Sequence, residues 1–125
     1  MKTISFEQVL QFHTKLINRT GGSDGVKDSG LVKSALERHK STFDGEDLYP
    51  TLIDKITVTT VSLVRNHGFI DGNKRIGVSV MVLLLKMNHL EIKFSQTELI
   101  DLGIGLASNS LDEEEVKIWI TDHLV

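Results

Sequence analysis

Hydrophobic residues recur at helical spacing along most of the chain. Phe6, Val9, Leu10, His13 and Ile17 mark one face of a helix from about Ser5 to Asn18. Ser5 and Gln8 open it with the spacing of a capping box. Gly21, Gly22 and Gly25, with Asp24, then read as a loop. Asp28 is placed to cap a second, short helix carrying Leu31, Val32, Ala35 and Leu36. Ser41 to Tyr49 is polar and turn-rich, and Pro50, the single proline, closes it.

Thr51 to Asn66 carries conflicting signals. Leu52, Ile53, Ile56 and Val64 suit a helix, whereas the β-branched run from Ile56 to Val64 suits a strand. The helix is favoured because no partner strand follows. Asn73 to Asn88 is apolar nearly all round, the pattern of a helix at the centre of a bundle. Glu91 to Phe94 reads as a short extended piece. Ser95-x-x-Glu98 and Ser110-x-x-Glu113 are two further capping boxes, opening helices near 96–107 and 111–123. The pattern predicts an all-α fold: one compact domain over residues 1–125, a bundle of about six helices around a central apolar helix.

Composition narrows the function. Hydrophobic residues make up 40% of the 125 and charged residues 25%, which suits a soluble globule rather than a disordered chain. Lys and Arg number 14 against 17 Asp and Glu, a net charge of −3, which disfavours general binding to nucleic-acid backbone. The absence of cysteine removes disulfides, thiolate metal sites and a cysteine nucleophile, and it is compatible with a cytoplasmic location. Met1 to Leu10 lacks the pattern of a signal peptide. The most apolar stretch, between Arg75 and Lys86, falls well short of the ~20 residues a membrane span needs.

Chemistry-bearing residues crowd into one place. Residues 65–77 read Arg-Asn-His-Gly-Phe-Ile-Asp-Gly-Asn-Lys-Arg-Ile-Gly, between two apolar helices. Gly72 permits a tight turn, and the helix behind it aims free N–H groups at whatever sits above its start. Asn73, Lys74 and Arg75 add side-chain donors in that first turn. Cations at a helix N-terminus are locally unfavourable, so a bound phosphate chain would account for their placement. Asp71 is then the carboxylate for a Mg²⁺ bridging phosphates, and His67 is placed to take a proton from an attacking hydroxyl. The same composition also suits a solvated turn with scattered charges. The spacing is not that of a P-loop, and no Ser or Thr follows Lys74.

His67-Gly-Phe-Ile-Asp-Gly-Asn-Lys-Arg75 resembles the signature of the Fic/Doc superfamily, HxFx(D/N)(A/G)N(G/K)R. Lys74 makes it similar to the Doc branch, the death-on-curing toxins of toxin–antitoxin pairs. Gly21-Gly22, Gly25-Val26-Lys27-Asp28 and the Leu31-to-Ala35 helix resemble the N-terminal segment of Doc proteins, so the resemblance covers essentially the whole chain. It implies that His67 is the general base, that Phe69 anchors the loop, and that Asp71 holds Mg²⁺. Gly72, Asn73 and Arg75 would bind phosphates of ATP or another NTP. Lys74 replaces the Gly of AMP-transferring Fic proteins, which implies transfer of the γ-phosphoryl group instead. The implied target is a hydroxyl of a translation elongation factor. The self-restraining helix pattern (S/T)xxxE(G/N) is missing: Glu46 is followed by Asp47 and Glu114 by Glu115. Restraint is therefore expected from a separate antitoxin bound as a helix in a groove. AMP transfer and a non-catalytic interaction module are the alternatives.

The remaining candidates divide. Arg65 suits either a phosphate contact or a cation at a helix C-terminus. His13 shares an apolar stripe and is expected to be partly buried and hydrogen-bonded. His39, His89 and His123 read as surface, Ser79 as core packing ahead of reaching the site from one turn along the central helix, and Trp119 with Ile118 and Val116 as core or the lining of a partner groove.

Overall fold

Capping side chains set where most of the helices begin. In the computed structural model, which describes residues 1–125, six α-helices are joined by short loops. They are α1 (Phe6–Thr20), α2 (Ser29–Glu37), α3 (Leu52–Asn66), α4 (Asn73–Met87), α5 (Gln96–Ala107) and α6 (Glu113–His123). Ser5 with Gln8 and Ser95 with Glu98 form the expected capping boxes on α1 and α5. Asp28 caps α2 by accepting from the Leu31 N–H. Thr51 with Asp54 caps α3 in the same way. The cap of α6 is Asp112 with Glu115, two residues beyond the expected Ser110. The Ser110 hydroxyl instead donates to the Gly105 carbonyl at the end of α5.

The β-branched segment is helical, and the packing explains why. Ile56 to Val64 are buried without a break, so tertiary contacts override their strand propensity. Two of the buried hydroxyls find acceptors inside the helix: Thr59 donates to Lys55 O and Thr60 to Ile56 O. Ser62 accepts from Arg38. α3 packs against α2, α4, α5 and α6. α4 shares the centre with it. At their crossing a Cβ on Gly77 would lie 2.3 Å from Val64 Cγ2, so the close approach needs glycine. Around this apolar pair lies one core cluster of 20 buried residues.

Four local features differ from the sequence pattern. The polar stretch after α2 contains a small hairpin, β1 (Thr42–Phe43) and β2 (Glu46–Asp47). Its turn is Asp44-Gly45, both with positive φ (52° and 79°), a conformation that matches the twist of a two-residue hairpin. His39 is buried rather than on the surface, and burial pushes its pKa down. His123 is also not a free surface residue. Its ring stacks on Trp119 at 3.9 Å, and Nε2 lies 2.6 Å from Glu98 Oε2. In α6, Val116 and Ile120 are buried, but Ile118 is exposed and Trp119 only half-buried.

The extended piece after α4 does pair. Ile92 bridges Leu124, and Lys93 N–H donates to His123 O at 2.9 Å. This ties the end of the chain to the start of α5. No helix is long and apolar enough to cross a membrane.

Candidate active site

The loop between α3 and α4 is stitched to the loop between α1 and α2. α3 ends at His67, whose left-handed backbone (φ 50°, ψ 46°) turns the chain outward. The imidazole is exposed. Gly68 then passes so close to α2 that a Cβ would lie 2.5 Å from Val32 Cγ2. The Gly68 carbonyl accepts from the Lys27 and Asp28 N–H groups, at 2.9 and 3.0 Å. Val26 pairs with Phe69, and Ile70 N–H donates to Gly25 O at 3.1 Å. Phe69 is buried, which stabilises the loop by about 1.5–3 kcal/mol relative to an exposed ring.

α4 begins differently from the other helices. Its N-cap is Gly72, with φ 75° and no capping side chain, whereas each of the other five α-helices has one. The first amide of this helix to find a backbone acceptor is Ile76, bonded to Gly72 O at 2.8 Å. The N–H groups of Asn73, Lys74 and Arg75 therefore point out unbonded, at the positive end of the helix dipole. An anion is the natural occupant of such a place. Lys74 is exposed beside these amides.

Asp71 precedes this turn. Its Oδ2 accepts from Ser23 N–H at 3.1 Å and its Oδ1 from Gly72 N–H at 2.7 Å, with Arg75 Nη2 3.5 Å from Oδ1. The Ser23 amide first, then the Gly72 amide and Arg75, hold this carboxyl below the usual carboxylate range. It is ionised at neutral pH, and the side chain is 47% exposed, which leaves it open to a cation. No three His, Asp or Glu side chains converge anywhere in the protein. A Mg²⁺ held by Asp71 would take its other ligands from phosphate and water oxygens, as this ion commonly does.

Other residues of the segment are placed differently from the expectation. Asn73 does not present its side chain to a ligand. Its Oδ1 accepts from Phe69 N–H and its Nδ2 donates to Phe69 O, both at 3.0 Å and buried. What Asn73 leaves for an anion is its backbone N–H. Arg75 faces the site but donates to Thr20 Oγ1 at 2.7 Å and to Gly21 O at 2.5 Å. Arg65 is a correction. Its guanidinium donates to Leu106 O and Leu111 O, tying α3 to the α5–α6 junction. Those carbonyls lie 41 and 46 residues along the chain, so nothing local in the sequence signals the contact.

Ser79 is not core packing. It lines a cleft of about 500 Å³ with Lys74, Arg75, Leu99, Ile100 and Ile104, beside the start of α4. Two contributors went unrecognised in the sequence. Ser23 reaches Asp71 through its backbone, and His13 reaches it across 58 residues. For His13 the one signal was a polar residue inside an apolar stripe.

Fold and loop geometry thus define a small helical protein with three unbonded amides at the start of α4 and an exposed histidine at the end of α3. The Fic/DOC family model matches residues 3–85. The chain belongs to the Fic/Doc family. It is similar to Toxin Doc of Mycolicibacterium smegmatis, 39% identical over 72 residues, which cover 58% of this chain and 55% of that protein. It is also similar to Protein kinase doc of Escherichia phage P1, 29% identical over 116 residues, 93% of this chain and 90% of the relative. The matched region thus spans about half of the first relative and most of the second.

Proposed function

We propose that this protein is the toxin of a toxin–antitoxin pair and acts as a Mg²⁺- and ATP-dependent protein phosphotransferase. The observation that carries the reading is the start of α4: three unbonded amides and an exposed Lys74, with the ionised Asp71 before them and the exposed His67 at the end of α3. One relative is named a toxin and the other a protein kinase, which supports the same reading.

The α4 amides would hold the phosphates, with Lys74 on the terminal one. Asp71 would hold Mg²⁺, which when bound neutralises phosphate charge and fixes the chain's orientation. His67 accepts the proton of the target hydroxyl. The hydroxyl oxygen then bonds to the γ-phosphorus, the bond to the β-phosphate oxygen breaks, and ADP leaves. The target in this reading is a translation elongation factor in the cytoplasm. The cognate antitoxin docks as a helix in a groove, and the cleft along α5, with exposed Ile100 and Ile104, offers an apolar surface for it.

Labelled ATP tests the reading. Label at the γ-position should enter the target, and label at the α-position should not. Entry of α-label would assign AMP transfer instead. Target binding with neither label transferred would leave a non-catalytic interaction module.

A further inference from the structure

His13 is fully buried on α1, at 1% exposure, and the reaction outlined above gives it no part. Its surroundings are specific. Nε2 lies 2.7 Å from the backbone carbonyl of Asp71. A carbonyl only accepts, so Nε2 carries a proton and donates it there, and Asp24 backs the ring through a second proton on Nδ1. Nδ1 faces Asp24 Oδ1 at 3.4 Å. Asp24 is itself held by the Thr14 hydroxyl at 3.1 Å and the Gly25 N–H at 2.8 Å. The ring stacks on Phe69 with centroids 3.9 Å apart and planes 14° from parallel. A Cβ on Gly72 would lie 3.4 Å from Nε2. One imidazole thus touches Phe69 and Asp71 and lies beside Gly72.

Packing alone does not call for histidine on this stripe. Its neighbours Val9 and Ile17 are apolar, and a phenylalanine would preserve the stack. The hydrogen bond adds something that an apolar residue lacks. If α4 began one residue earlier, the Asp71 carbonyl would accept from the Arg75 N–H in the ordinary helical register. With that carbonyl occupied by His13, Asp71 stays outside α4 and the Arg75 amide remains free.

We propose that His13 is a positioning residue: backed by Asp24, it holds the Asp71 carbonyl so that the Asp71 carboxylate and the first amides of α4 converge on one ligand. The proposal rests on the nucleotide-site reading given above.

Two substitutions separate positioning from packing. His13→Phe keeps the stack and deletes the donor. His13→Gln deletes the ring and keeps an N–H at nearly the same reach. Calorimetric titration of ATP with and without Mg²⁺, together with KM and kcat, is read on both. The expected result is about a tenfold loss of Mg²⁺-dependent ATP affinity in His13→Phe, seen mainly in KM, with His13→Gln within about threefold of the native protein. The reverse order would mean that the ring only fills space, and would overturn the proposal.

A readout on the ligand-free protein keeps the two readings distinct. The Ser23 and Gly72 amide resonances report the two donors to the Asp71 carboxylate. They should shift in His13→Phe and stay in place in His13→Gln. If the native protein binds no Mg²⁺–ATP, the nucleotide reading fails, while these resonances still decide the role of His13. If neither variant folds, Asp24→Ala decides, since Asp24 is exposed. That variant should move the same two resonances, and unchanged resonances would overturn the proposal.

Discussion

Asn73 and Phe69 close the motif loop through two hydrogen bonds of 3.0 Å between one side-chain amide and one residue's backbone. The Phe69 N–H and C=O are buried here, so each would otherwise lack a partner. The asparagine therefore builds the cradle rather than filling it. Asn73→Ala should lower stability by about 2–4 kcal/mol, because it orphans both backbone groups. Asn73→Asp should cost at least as much, since its carboxylate still accepts from the Phe69 N–H but sets a buried charge against the Phe69 carbonyl oxygen. Urea unfolding monitored by circular dichroism measures both, and an alanine variant as stable as the native protein would contradict this role.

Gly22 is a second structural constraint on the site. Its φ is +112°, and a Cβ there would lie 2.4 Å from Asp71 Oδ2. Gly22→Ala should therefore strain the backbone by about 1–3 kcal/mol and push the Ser23 amide off the carboxylate. With the Ser23 hydrogen bond gone, the Asp71 carboxyl should titrate closer to the ordinary range. NMR titration of the carboxyl carbon checks the shift, and an unmoved titration would show that Ser23 does not hold it.

His123 and Glu98 make stability depend on pH at the other end of the molecule. Glu98 beside the imidazole raises the His123 pKa, and His123 in turn lowers that of Glu98. The raised histidine contributes stability that is fully present below its unfolded value, about 6.5, and is lost as pH rises through the folded value. The depressed glutamate contributes stability present above its unfolded value and lost as pH falls through the folded one. Their joint contribution is greatest in the mildly acidic window between the two unfolded values. The melting temperature should fall from pH 6 to pH 8.5 in the native protein, and fall less in His123→Gln. Parallel curves for the two proteins would remove the pair from the account.

Lys74 is exposed, and the Gly103 backbone runs past its Cβ rather than pairing with its ammonium. Lys74→Gly should cost only about 1 kcal/mol of stability, the usual penalty for glycine in a helix. Phosphoryl transfer should nevertheless be lost, with weak AMP transfer as the expected replacement. Thermal melts paired with product mass separate the two effects. Full phosphoryl transfer by the variant would show that the ammonium does not orient the nucleotide.

What the sequence made legible was local. Periodicity and capping boxes located α1 and α5, because both signals lie within four residues of each other, and an almost unbroken apolar run located α4. The motif loop was legible because the residues that turn it and the residues that would bind an anion are adjacent. The hairpin was not, since its Asp44-Gly45 turn sits between two exposed two-residue strands, too short for an alternating pattern to mark. The cap of α6 was expected at Ser110 and lies at Asp112, whose Glu115 partner has the same three-residue spacing. Arg65 and His13 depended on carbonyls more than 40 residues away. Their roles appear only when the helices are packed.

The most direct test of the central claim is the intact mass of a candidate target, a translation elongation factor first, after incubation with the protein, ATP and Mg²⁺. A gain of about 80 Da marks a phosphoryl group and about 329 Da an AMP group. The account expects the smaller gain with the native protein and its loss, by about 10²–10⁴ in rate, with His67→Ala at unchanged fold. The larger gain, or the smaller gain at native rate in His67→Ala, would contradict it.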